Sequence, residues 1–303
     1  MAEVYITSDV HGHGEGGLDE VFLRNRYQST ELEAATRLAD IAEKYSLPIT
    51  FFVSGRAATR QPSLLADLSD RSNVHIGGHT YRSHQPVWLH FLFDRLTGSF
   101  YGPRFYQEYD IEKTLQTLED VIDAPIRSWR THSFQGDDTT LDVLDESVVS
   151  FVSDRVGPFE PRRDVRDSLT MVPVNTPPDY DHLYRGWYTP PRVQRDLQIR
   201  EKLFGAPGAY RSMAGLKRLL VESVKSLSGF RPPQKAFGEA WMEPQDYTQW
   251  LLGQVELRLE SMGYATILLH PATMMLADEM LTADRIFRGV RKLASVAHLD
   301  DSP

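Results

Sequence analysis

The feature that most constrains the fold of this chain is how regularly short β-rich runs and amphipathic helices alternate over its first eighty residues. Val4-Tyr5-Ile6-Thr7 reads as a strand ending at Ser8-Asp9, and Gly-rich sequence follows as far as Gly17. Leu32, Ala35, Leu38, Ile41 and Ala42 then return at helical spacing between Thr30 and Tyr45, with Ser29 or Thr30 placed to cap the start. Pro48 precedes the apolar run Ile49 to Val53, a short helix is expected over Pro62 to Ser69, and Val74-His75-Ile76 reads as a third strand. Strand, helix, strand, helix, strand at these intervals implies parallel strands joined by crossover helices. Asp9 and His79 then fall just past the carboxyl ends of their strands, the edge where α/β folds place chemistry.

The same reading continues with gaps. Helix is expected over Ile111 to Val121, Leu141 to Glu146, Leu216 to Ser226, about Pro244 to Glu260 (ended by Gly263) and Leu281 to Ala294. Strands are expected over Ile126 to Arg130, Val148 to Val152, Leu169 to Val174 and Ala265 to Leu269, the last delivering His270. With 303 residues and no convincing linker, the chain reads as one domain, 1–303, carrying insertions at about 85–109 and 177–240. The first insertion is rich in aromatics (Trp88, Phe91, Phe93, Phe100, Tyr101, Phe105, Tyr106 and Tyr109). It reads as plain packing, a lid, a sugar-stacking subsite or a homo-oligomer contact. Asp179, Tyr180 and Trp187 in the second could line a cleft.

Composition narrows the chemistry. There are no cysteines, so disulfides, thiolate-bound zinc and thiol nucleophiles are excluded, and any metal must rest on His, Asp or Glu. A net charge of -9 argues against a nucleic-acid partner, which would need clustered Lys and Arg. No apolar run approaches the roughly eighteen residues of a membrane span, and no basic leader precedes an apolar stretch, so a cytoplasmic protein is expected. His79 and His84 stand five apart after Gly77-Gly78, a spacing that suits a loop or a π-bulge better than a regular helix. Two imidazoles from one short segment can fix two corners of a coordination shell, or can be unrelated residues of a surface turn. His11 and His13 in the first loop are further candidates. His132 is the likeliest exception among the remaining histidines, which default to packing or surface roles.

Taken together, Thr50-Phe51-Phe52-Val53-Ser54-Gly55, Ile76-Gly77-Gly78-His79-Thr80 with a following His, Arg130, and Leu268-Leu269-His270 resemble the NodB-type polysaccharide deacetylase family, carbohydrate esterase family 4, over roughly residues 2 to 275. The resemblance implies a distorted (β/α)7 barrel and a hydrolase removing an N-acyl, typically N-acetyl, group from a sugar of a surface polysaccharide or its precursor. It implies a divalent metal, with zinc suited to an all-histidine shell. Carried over residue by residue, it makes Asp9 the catalytic base, Arg130 the group that orients it and His270 the catalytic acid. The metal ligands would be His11, His79 and His84, with Asp9 as the alternative to His11 should that ring point away. His11 stands where the family has an acid, and the two later histidines are one residue further apart than usual. A metal-independent, allantoinase-like amidohydrolase and an inactive carbohydrate-binding relative remain the alternatives. Asp154, after another strand, is the expected partner of His270, and a backbone N–H of the Arg130 to Ser133 turn the expected oxyanion donor.

Overall fold

The computed structural model describes residues 2–12, 18–183, 237 and 242–299. The expected helix from Leu216 to Ser226, together with His13 and Trp187, lies outside the described residues. One sheet organises the chain. Its strands are β1 (Glu3–Val10), β2 (Ile49–Val53), β3 (Val74–Gly78), β4 (Ser128–Trp129), β5 (Phe151–Val152), β6 (Arg163–Asp164), β7 (Thr170–Met171), β8 (Tyr264–Leu269) and β9 (Ser295–Ala297). They lie in the order β6-β7-β5-β4-β3-β2-β1-β8, and β9 pairs with β1 beside β2. Only the β6–β7 pair is antiparallel. This is the mixed α/β, curled parallel sheet of the expected barrel class.

β1 lies at the centre, paired to β8 over Glu3 to Ser8 and to β2 over Thr7 to Val10. Every residue of β1 after Glu3 is buried, as expected of a parallel strand covered on both faces. Helices pack outside it. Helix Glu31–Lys44 begins with a reciprocal cap: Thr30 Oγ1 accepts from Glu33 N–H at 3.2 Å, and Glu33 Oε2 accepts from Thr30 N–H at 2.8 Å. Its Leu32, Ala35, Leu38 and Ala42 are buried, following the sequence periodicity. Helix Pro244–Met262 stops at Gly263, whose φ of 77° is the left-handed cap that glycine adopts without strain. Helices Leu18–Tyr27, Gly55–Arg60 and Pro271–Asp278 are additions to the sequence reading. The expected strands around residues 128, 150 and 170 shorten to two paired residues each.

Asparagine and threonine side chains do the work of a strand between the two ends of the sheet. Asn175, just beyond β7, accepts the Thr266 N–H on Oδ1 at 2.8 Å and donates to the Tyr264 carbonyl at 3.3 Å, as an adjoining strand would. Thr176 Oγ1 donates to the Thr266 carbonyl at 2.8 Å. All these groups are buried, so losing the amide strands a backbone donor and an acceptor. Asn175→Ala is expected to destabilise the fold by about 2–3 kcal/mol, measured by chemical denaturation with an unchanged m-value. Among the described residues, no helix is long and apolar enough to cross a membrane.

Candidate active site

The carboxyl ends of β1, β3, β4 and β8 deliver Asp9, His79, Arg130 and His270 to one rim, as the strand-end argument anticipates. Arg130 is fully buried and its donors are accounted for one by one. One terminal nitrogen reaches Asp9 Oδ1 at 2.7 Å. The other reaches Thr7 Oγ1 at 2.9 Å and Ser153 Oγ at 2.8 Å, while Nε donates to the Ser153 carbonyl at 3.2 Å. The guanidinium plane covers the Phe52 ring at 4.3 Å. Burial alone would raise the Asp9 pKa, but Arg130 and the nearby imidazoles outweigh it and hold the carboxyl at about 2. Asp9 is therefore ionised throughout the physiological range.

Three imidazoles meet beside it. His79, His11 and His132 offer nitrogens that all lie within 4.8 Å of one another. His79 Nδ1 lies 2.7 Å from the Arg130 carbonyl, to which it donates; Nε2 therefore carries the lone pair. That Nε2 stands 3.3 Å from His132 Nδ1. Two nitrogens on one tetrahedral ion, with bonds of about 2.0–2.1 Å, are separated by about 3.3–3.4 Å. Burial holds the His79 pKa down at about 3, so its ring is neutral, the form a metal requires. His11 is anchored at its other nitrogen, with Nδ1 3.0 Å from Glu31 Oε1. The donor set and the fixed outer partners of two of its rings fit a divalent ion.

His84 lies one layer behind this group. Its Nε2 is 3.0 Å from the His132 carbonyl, and its ring packs against His90 (4.8 Å), Tyr101 (5.2 Å) and Phe100 (5.5 Å). The cause is the path of the loop. Thr80, Ser83 and His84 all have positive φ, near 50–57°, so the chain doubles back and carries the His84 ring toward the aromatic segment. His132, two residues after Arg130 on a tight turn, stands beside His11 and His79 where His84 was expected. His84 steadies that turn by donating to it. Most of the aromatic insertion is accounted for by packing behind His84: Phe91 and Tyr101 are buried, while Trp88 and Phe105 stand exposed on helices Val87–Thr97 and Arg104–Ile122.

The acid partnering His270 is Asp179, and the expectation of Asp154 is corrected. Asp154 accepts from the Thr131 backbone N–H and, at 2.6 Å, from Thr131 Oγ1; burial raises its pKa to about 6. It therefore also occupies the Thr131 N–H of the turn expected to supply an oxyanion donor. Asp179, fully buried, accepts the His270 backbone N–H on Oδ2 and faces Nδ1 with Oδ1, both at 2.7 Å. Burial opposes the imidazolium, but Asp179 foremost, with Asp9 and Glu31, overrides it and lifts the His270 pKa to about 9. A protonated ring has no lone pair to give. Of the two groupings of potential ligands, the set of Asp9, His11 and His270 has Asp9 engaged by Arg130 and His270 by Asp179, which favours His11, His79 and His132. Tyr180, about half exposed, lies with its ring 5.5 Å from that of His270 and marks the mouth of the site.

Comparison with known proteins agrees with this fold. Residues 28–151 match the family model described as polysaccharide deacetylase. No curated protein matches the chain. Among solved structures, a protein described as a polysaccharide deacetylase from Mycobacterium smegmatis is similar at TM-score 0.61 and 16% identity, covering 99% of this chain and 87% of that one. The Puue allantoinase is similar at TM-score 0.61 and 10% identity, covering 99% and 88%. A CE4 family pseudoenzyme from Bacillus anthracis is similar at TM-score 0.51 and 15% identity, covering 99% and 64%. A deacetylase, an allantoinase and a pseudoenzyme on one architecture mean that the fold leaves the chemistry to be argued from side chains. Residues 28–151 are thus similar in sequence to the polysaccharide deacetylase family, and the chain as a whole shares the fold of solved structures that include such deacetylases.

Proposed function

We propose that the chain is a metal-dependent hydrolase that removes N-acetyl groups from a sugar of a surface polysaccharide or its precursor. The observation that carries this reading is the convergence at one rim of an ionised Asp9, a charged His270 and a set of three imidazoles. His11, His79 and His132 would hold the ion. When bound, a divalent metal polarises the acyl oxygen and makes water acidic enough to attack near neutral pH.

The chain's own groups account for the proton transfers. Amide hydrolysis adds water across the C–N bond, so one proton must leave the water and one must reach the departing nitrogen. Arg130 aims the Asp9 carboxylate and keeps it charged. A carboxyl held near 2 is a weak base, so Asp9 orients the water and receives its proton as attack proceeds. His270 carries the proton that the amine needs, and Asp179 keeps that ring charged and turned toward the site. The products are a free amine on the sugar and acetate. Histidine at positions 11, 79 and 132 makes zinc the best-suited ion.

The test is acetate release from N-acetylated sugar oligomers before and after chelation. Chelation is expected to lower the rate at least 100-fold, and added zinc to restore it. Acetate release that persists unchanged in metal-free protein would remove the metal and favour an allantoinase-like route, to be checked with small linear and cyclic amides. Sugar binding without acetate release would identify an inactive relative.

A further inference from the structure

Glu31 is a buried acid that the proton transfers above do not use. It opens helix Glu31–Lys44, only 5% of its surface is exposed, and the neighbouring Glu33 already closes the cap of that helix. Its carboxylate reaches back to the loop after β1. Oε2 accepts the backbone N–H of His11 and of Gly12, each at 2.9 Å, and Oε1 stands 3.0 Å from His11 Nδ1. The other side of that loop is fixed as well: Ser54 Oγ donates to the His11 carbonyl, and Arg60 donates to the Gly12 carbonyl at 3.2 Å. Gly12 has a φ of 58°, and a Cβ there would sit 2.7 Å from Ala57, so the loop has no alternative packing at that point.

Two consequences follow from the geometry. Oε2 already accepts two amide N–H groups, which leaves Oε1 as the acceptor facing the ring, and a proton on Nδ1 completes that bond. Nε2 then presents its lone pair. Three imidazole ligands also bring no negative charge to a dication, and Glu31 adds one through the ring it holds. We propose that Glu31 is the positioning residue of the metal centre, fixing His11 as the Nδ1–H tautomer and supplying the anionic charge that the three-imidazole set lacks. The inference rests on the reading that His11, His79 and His132 bind a divalent ion.

Zinc alone is the probe, titrated calorimetrically into the full-length metal-free protein against a competing chelator. Glu31→Gln is expected to weaken zinc binding about 10- to 100-fold, because an amide can meet Nδ1 with its NH2 and drive the ring proton onto Nε2. His11→Ala, alone and combined with Glu31→Gln, completes the cycle: with the ring gone, the Glu31 change is expected to have no further effect on affinity. Nitrogen-15 NMR of the metal-free wild type reads the tautomer directly, and the Nδ1–H form of His11 is expected. The Nε2–H form in wild type overturns the inference even if the glutamine variant fails to fold. Equal zinc affinity in Glu31→Gln, or an equal loss in the His11→Ala background, overturns it too. Wild type that binds no zinc overturns the metal reading itself, a result distinct from either.

Discussion

Arg130→Met is expected to destabilise the protein by about 3–5 kcal/mol at neutral pH and to abolish measurable hydrolysis. The methionine fills part of the volume, but four hydrogen bonds vanish and Asp9 is left as a buried charge without its guanidinium partner. The pH dependence identifies the cause. In the wild type the Asp9 pKa is depressed, to about 2 against an ordinary 3.8, so its contribution to stability is complete above 3.8 and is lost as pH falls through 2. In the variant the largest opposing charge is gone, so burial pushes the same carboxyl up from its wild-type value. The deficit of the variant should therefore shrink on acidification, as Asp9 takes up a proton and ceases to be a buried charge. Denaturation curves of both proteins between pH 4.5 and 8 measure this. The double variant Asp9→Asn/Arg130→Met should recover much of the loss at neutral pH, since it removes both charges together. A deficit independent of pH, with no recovery in the double variant, would assign Arg130 a packing role and leave Asp9 without its orienting group.

The residues whose position depends on strand ends were legible in the sequence; those whose position depends on the path of a loop were not. Asp9, His79, Arg130 and His270 each follow an apolar run, and parallel strands bring such ends to one edge whatever the loops do. The His84 ring lies behind the three-imidazole group and that of His132 within it, because the loop after His79 passes three times through left-handed backbone at non-glycine residues, which no local preference in Thr80, Ser83 or His84 announces. The tight turn at His132 includes Ser133 and Phe134, also at positive φ. Asp179 reaches His270 across 91 positions of sequence, and nothing near either residue records the pairing. Glu31 is hidden for a different reason. As a sequence feature it is an acid in the first turn of an amphipathic helix, where acids are common for the sake of the helix dipole. The fold shows the same pattern of success. Capped helices were placed to within a few residues, whereas strands around residues 128, 150 and 170 shrank because their pairing is set by curvature. Between β7 and β8 the connection is made by the side chains of Asn175 and Thr176.

The same dependence on tertiary pairing makes the alkaline side of the pH profile the sharpest reading of His270. His270→Ala is expected to lower kcat about 10²- to 10⁴-fold, the range for loss of a proton donor, while zinc binding persists. For the wild type the sign is fixed by the charged ring: donation requires the imidazolium, so activity holds below about 9 and falls as pH rises through that value. Asp179→Asn keeps an acceptor for the ring and removes the charge that raises its pKa. Burial then dominates, and the alkaline limb should move to markedly lower pH with a smaller loss at the optimum than in His270→Ala. Stability should follow with the same sign, because a raised imidazole value contributes fully below the ordinary 6.5 and is lost as pH rises through 9. Profiles of kcat for the three proteins from pH 5.5 to 10, with zinc content matched, make the measurement. An alkaline limb that stays in place in Asp179→Asn would belong to another group, and proton donation would have to be reassigned away from His270.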